Sequence, residues 1–167
     1  MNQKALVELI RGHGAHIDAV ECFRGLAPEL AGRRPEGLPY TIWQLLGHLS
    51  YWIEYELARV AGEAVEYPAH AALSWPPDPA PAGGGEWDAA LERFERLLEE
   101  MSRLAGAPEA VLARPVRPRH DSEVGKDDTL LGVLWQTVVH NSYHLGQVAL
   151  LRRAIGAWPP PGGGDTW

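Results

Sequence analysis

Apolar residues recur along this chain at a helical period, in segments divided by stretches dense in glycine and proline. Over residues 2–25, Leu6, Leu9, Ile10, His13, Ile17 and Val20 fall on one stripe, which predicts an amphipathic helix. A second helix is predicted from Thr41 to Ala61. The TIWQ that opens it is a capping box, Thr41 and Gln44 each reaching the other's backbone amide, and Gly62 follows its end. A third, over 86–105, turns Leu91, Phe94, Leu98 and Met101 inward. The pairs Glu92–Arg96 and Glu99–Arg103 mark its solvated face. The fourth starts near Asp128 or Thr129 and runs to Gly156, with Arg152 and Arg153 at its C-terminal dipole end and WPPP beyond.

Between these segments the chain cannot be helical for long. Pro28, Pro35 and Pro39, with Gly32 and Gly37 among them, make a continuous helix unfavourable before Thr41. The connections 63–85 and 106–127 are long for a compact domain, and such loops are usually functional or disordered. The second has room for a crossover with a short hairpin. Four helices of this kind predict an all-α fold, a four-helix bundle with long crossover connections. Residues 1–158 are expected to form its single domain, and 159–167 a loose Pro/Gly-rich tail.

Composition narrows the function classes. With 46% apolar and 22% charged residues, the chain reads as a soluble globular protein. No apolar run is long enough for a membrane span. The start of the sequence lacks a signal-peptide pattern, and the lone Cys22 suits a reducing compartment, so a cytoplasmic protein is expected. Net charge is −7, and Lys and Arg form no stripe. Nucleic acid is therefore not an expected partner.

The stretch HNSYHLGQ, 140–147, carries the chemistry. His140 and His144 stand four residues apart on a helix, side by side, the spacing at which a helix offers two nitrogens to one ion. Around His140 the wheel gathers Val133, Gln136, Thr137, Tyr143, Gln147 and Leu151, a stripe apolar at its ends and polar at its centre. On the second helix His48 shares its face with Gln44, Leu45, Tyr51, Trp52 and Tyr55. That face is also the inward one, so His48 is placed to meet His140 and His144 across the bundle. Each ring alone could equally be a hydrogen-bonded core histidine. Three together favour a divalent metal, with the open coordination place of a catalytic site.

These same residues carry a likeness. TIWQLLGHLSYW followed by HNSYHLGQVALLRRAIG resembles the DinB/YfiT-like superfamily, whose members share a first His early in helix two and an HxxxHxGQ motif in the last helix. The resemblance implies a four-helix bundle that binds nickel, zinc or iron through His48, His140 and His144, and it implies homodimers. Some members of that superfamily are thiol S-transferases or isomerases that use a low-molecular-weight thiol.

Other residues enter with lesser expectations. His13 interrupts an apolar stripe and is a candidate pocket residue, whereas His16 lies at the stripe edge and His70 and His120 in loops. Gln44 and Gln147 are candidates to orient imidazoles from behind, and Tyr51, Trp52 and Tyr55 to line the pocket. Ser142, Gly146 and Ala149 would let another helix approach closely. Arg114, Arg117 and Arg119 could hold the carboxylates of a thiol, if their loop folds over the site. No HExxH motif is present, so no general base is expected beside the ligands. The expected function is a metal-dependent enzyme acting on a small molecule, of thiol S-transferase or hydrolase type. The alternative is a non-catalytic metal-binding or structural helical dimer.

Overall fold

The computed structural model describes residues 3–117 and 128–164. Expectations placed on Arg119 and His120 lie outside the described residues. The order of elements is α1 (Gln3–Ile10), α2 (Pro28–Ala31), α3 (Ile42–Ala61), a 3-10 turn (Ala71–Ser74), α4 (Gly84–Ala105), α5 (Glu109–Leu112), β1 (Pro115–Val116), β2 (Asp128–Thr129) and α6 (Leu130–Ala154). The fold is all-α: α1, α3, α4 and α6 pack on one another as a bundle joined by long connections. Their shared core holds Leu6, Ile10, Leu46, Leu49, Phe94, Leu98, Leu134 and Val148, all fully buried. Each such side chain stabilises the bundle by about 1.5–3 kcal/mol relative to exposure. No described helix is long and apolar enough to cross a membrane.

The helix predicted over 2–25 stops at Ile10. Gly12 takes φ +88°, which only glycine adopts freely, and a Cβ there would fall 2.2 Å from the His16 ring. The chain then winds through turns, where the Asp18 carboxylate accepts the amides of Val20 at 2.8 Å and Glu21 at 3.1 Å. The inward stripe survives without the helix, since Val20, Cys22 and Phe23 remain buried. A short helix, α2, forms inside the stretch read as non-helical. Pro28 opens it, at the first-turn position where a missing amide costs nothing.

The caps of the two site-bearing helices are as read. The Thr41 hydroxyl accepts the Gln44 amide and the Gln44 side chain accepts the Thr41 amide, both at 3.2 Å. Thr129 caps α6 by accepting the Gly132 amide. In the described part of this connection Pro115 pairs with Thr129 and Val116 with Asp128 in a two-residue ribbon, and the rest of the hairpin expected within 106–127 lies outside the described residues. On α4, Arg103 bonds Glu100 rather than Glu99. Arg152 turns inward from α6, donating to the carbonyls of Cys22, Arg24 and Ala157.

Two buried groups fasten the far end of α3. Arg59, 2% exposed, bonds Glu56 within the helix and reaches Asp128 of β2 at 2.7 Å and the Arg117 carbonyl. The helix that carries His48 is thereby joined to the ribbon that leads into α6.

Candidate metal centre

His48 comes from α3 and His140 and His144 from successive turns of α6, and their ligand atoms all lie within 4.8 Å of one another. Ring centroids stand 5.2 Å apart for His48 and His140, 4.8 Å for His48 and His144, and 4.6 Å for His140 and His144. His48 and His144 are buried and His140 is half-buried. The cluster is capable of coordinating a metal ion.

Hydrogen bonds decide which nitrogens face inward. The Ser74 hydroxyl donates to the Ala71 carbonyl at 2.7 Å, so toward His48 it turns a lone pair. The Ser74 carbonyl, which can only accept, lies 3.2 Å from the same His48 Nδ1. His48 Nδ1 therefore carries the proton, and its Nε2 lone pair is left for a cation. His144 repeats the device, with Nδ1 donating to Gln147 Oε1 at 2.7 Å. An acceptor behind the ring fixes tautomer and orientation and raises ligand basicity.

The loop between α3 and α4 supplies what the helices do not. Trp75 stacks on His48 at 3.8 Å and 11° between planes, and Tyr40 stacks on Trp75 at 3.6 Å and 6°. Gln44 does not touch an imidazole; its Nε2 donates to the Pro76 carbonyl, holding the segment that carries Ser74 and Trp75 against α3. That segment lies so close that a Cβ on Gly47 would fall 2.2 Å from Pro76 Cγ. Gly47→Ala is accordingly expected to weaken metal binding by about 10- to 100-fold while leaving helix content intact, since alanine is the better helix former. Circular dichroism and a competitive chelator titration measure the two. Unchanged affinity would show that the loop plays no part in aligning His48.

Burial governs the protonation of the cluster. Burial first, and then charge on His144 and His140, takes His48 from 6.5 down to about 3 against the opposing bond to Ser74. His144 is also lowered, by burial, against the opposing bond to Gln147. Both rings are neutral in the folded and unfolded chain above the ordinary imidazole value. Below it the unfolded chain takes up protons that the folded one refuses, so stability falls as pH drops from about 6.5 toward 3. The metal-free protein is expected to melt lower at about pH 5 than at about pH 7, and His48→Gln to show a shallower fall. Equal falls in thermal melts of the two proteins would detach the effect from His48.

His48 and His140 line a cavity of about 760 Å³. Trp52 and Tyr67 form one wall, with Tyr55 edge-on to both, and Trp135 and Tyr143 form another. Tyr51 faces a separate hollow with Trp43 and Arg93. His13 is not at the site: it is exposed, between Glu8 at 2.9 Å and Asp18 at 3.0 Å, because the chain has left the helix that would have carried it inward. His16 bonds Ser142 of α6 at 3.0 Å, and His70 is exposed. Arg114 donates to the Val60 carbonyl, away from the cavity lining, and Arg117 is exposed. A Cβ on Gly146 would meet nothing within 4 Å, so the close helix approach expected there is not made among the described residues.

Of the lining residues that escaped the reading of the sequence, two polar ones lie on the helices. Glu56, buried two turns beyond His48, places a carboxylate on the wall of the same cavity although HExxH is absent. Asn141 is 2% exposed, and neither atom of its amide has a hydrogen-bond partner among the described residues. An orphaned buried polar group costs about 1–3 kcal/mol. The only hint of either was a polar residue on an inward stripe.

No curated protein matches the chain. The family model of the DinB superfamily matches residues 15–148, a span that contains all three histidines, the stacking loop and the cavity walls. With most of its length matched and the histidine cluster assembled, the chain belongs to the DinB superfamily.

Proposed function

We propose that this chain is a divalent-metal-dependent enzyme that acts on a small molecule, of hydrolase or thiol S-transferase type. His48, His140 and His144 would hold the ion, and nickel, zinc and iron all accept imidazole. Such an ion, when bound, lowers the pKa of a coordinated water or thiol toward neutrality. The observation that carries the reading is the cavity on the His48 and His140 side of the cluster. Three protein ligands leave coordination places free, and no fourth His, Cys, Asp or Glu joins the cluster among the described residues. A site serving stability alone would be closed.

The chain's own residues would do the rest. Ser74 and Gln147 keep protons on the outer nitrogens of two ligands. The aromatic walls would line the space beside the ion, with Glu56 among them in its pair with Arg59. A thiol for S-transfer would have to come from outside, because burial pushes the Cys22 thiol up to about 12. The hydrolase form is favoured over transfer from a carboxylate-bearing thiol, since no described lining residue is a cation.

A homodimer is part of the proposal. Val139, Tyr143 and Leu150 on α6 are each more than 60% exposed, an apolar face suited to a second copy. A single domain over 1–158 and a cytoplasmic setting complete it. Elemental analysis of the untagged protein, with melting measured with and without chelator, tests the reading. About one divalent ion per chain and a lower melting temperature in chelator are expected. A metal-free protein indifferent to chelator would leave the structural helical dimer instead.

A further inference from the structure

We infer that the cavity takes substrates whose body is an uncharged aromatic ring system, with a single polar end directed at the ion. The inference rests on the proposed function for the ion alone. The walls stand on their own geometry.

Those walls grow directly out of the histidine cluster. Trp52 stands edge-on to both His48 and His140, at 6.4 and 6.5 Å between centroids, and Tyr67 packs against Trp52 at 5.5 Å. On the other wall Trp135, Val139 and Tyr143 lie on successive turns of α6, and the Tyr143 ring is 5.0 Å from that of His144. Their surfaces are open to an occupant: Tyr67 and Trp135 are 38% and 41% exposed, and Val139 and Tyr143 are each 66% exposed. A molecule that sets its polar end at the imidazoles therefore lays its body among these rings. Ring against ring, edge-to-face or offset, gains more than the same area of saturated hydrocarbon. A cavity of about 760 Å³ has room for such a body.

The polar side chains of the lining are for the most part turned away or already engaged. The Ser74 hydroxyl donates to the Ala71 carbonyl, and the Thr137 hydroxyl to the Val133 carbonyl at 3.0 Å. The Asn141 amide is sealed beneath the surface. Glu56, the one charged side chain among the described lining residues, is 3% exposed and bonded to Arg59 at 2.9 Å. What polarity the open lining keeps beyond the imidazoles is neutral, in Gln136 and the hydroxyls of Tyr67 and Tyr143. A charge on the body of the substrate would give up water there without a described partner of opposite sign. An ammonium would be repelled by the ion as well. An uncharged ring meets neither obstacle.

Hydroxamates test this, because one metal-seeking head can carry different bodies. The full chain, zinc-loaded and metal-stripped, is titrated calorimetrically with benzohydroxamate, its cyclohexyl counterpart and 4-carboxybenzohydroxamate. In the zinc form benzohydroxamate is expected to bind about three- to tenfold more tightly than the cyclohexyl probe. Against the carboxylated probe the margin should be at least about tenfold. Tyr67→Leu and Trp135→Leu should each remove most of the aromatic preference and keep zinc stoichiometry and melting behaviour, since both residues are exposed. Trp135→Phe should retain the preference. Tyr67 lies off the α6 face assigned to a second copy, so a loss there is not the loss of a dimer. Binding of none of the three probes, equal affinities, tighter binding of the carboxylated probe, or a preference that survives in both leucine variants overturns the inference. Zinc retained without any aromatic preference sinks this inference alone. The same order of affinities in a chain that holds no metal supports it and defeats the metal-centre reading instead.

Discussion

Alanine in place of His144 is expected to strip the protein of its ion under dialysis. His144 is 7% exposed, with its outer nitrogen bonded to Gln147 and its inner one turned toward His48 and His140. Without it two imidazoles remain, and two side-chain ligands from a bundle wall hold a divalent cation poorly. Gln147→Leu provides the graded comparison, because it removes the acceptor behind the ring and leaves the ligand. Losing such an outer partner costs about 10- to 100-fold in affinity, and losing the ligand itself should cost more. Competition with a chromogenic chelator ranks wild type, Gln147→Leu and His144→Ala in that order. Full metal stoichiometry in His144→Ala after dialysis would remove the three-histidine assignment.

Arg59→Leu is expected to destabilise the fold by about 3–5 kcal/mol, the usual result of leaving one member of a buried ion pair uncompensated. Arg59 and Glu56 are 2% and 3% exposed, so the surviving carboxylate has almost no water to turn to. Asp128 is partly exposed and loses less. The guanidinium also fixes the Arg117 carbonyl at the end of β1, so the ribbon loosens together with α3. For a chain of this length the loss amounts to a fall on the order of 10 °C in melting temperature. Adding Glu56→Gln to Arg59→Leu should recover much of it, since the stranded charge is then gone. Denaturant melts of the single and double variants measure this. Equal stability of wild type and Arg59→Leu would mean that the pair is solvated.

The parts of this fold that announce themselves in the sequence are those set by local rules. Thr41 and Gln44 begin α3, Gly62 ends it, and Thr129 begins α6, because a cap depends on residues only a few positions apart. The pairing of His140 with His144 is legible for the same reason, and His48 followed from the inward face of α3. The end of α1 was missed because its apolar stripe continues in burial after the helix has stopped, so periodicity alone could not show that Gly12 breaks it. Ser74 and Trp75 were out of reach for a different cause. They meet His48 from 26 and 27 positions away, through a loop with no period, and the one clue was a tryptophan set between a serine and two prolines. Glu56 and Arg59 look on paper like an ordinary surface pair at i, i+3, and only the packing of the ribbon over them makes them interior.

The parallel pile of Tyr40, Trp75 and His48 has an optical consequence. Among the described tryptophans, Trp75 lies flat on a ring of the ion-binding cluster. Ions with partly filled d shells drain excited indoles at short range, and closed-shell zinc does not. Emission from Trp75, isolated as the difference between wild type and Trp75→Phe, would dim with nickel or iron and stay bright with zinc. The molecule thus contains a label-free gauge of both occupancy and the electronic character of its occupant.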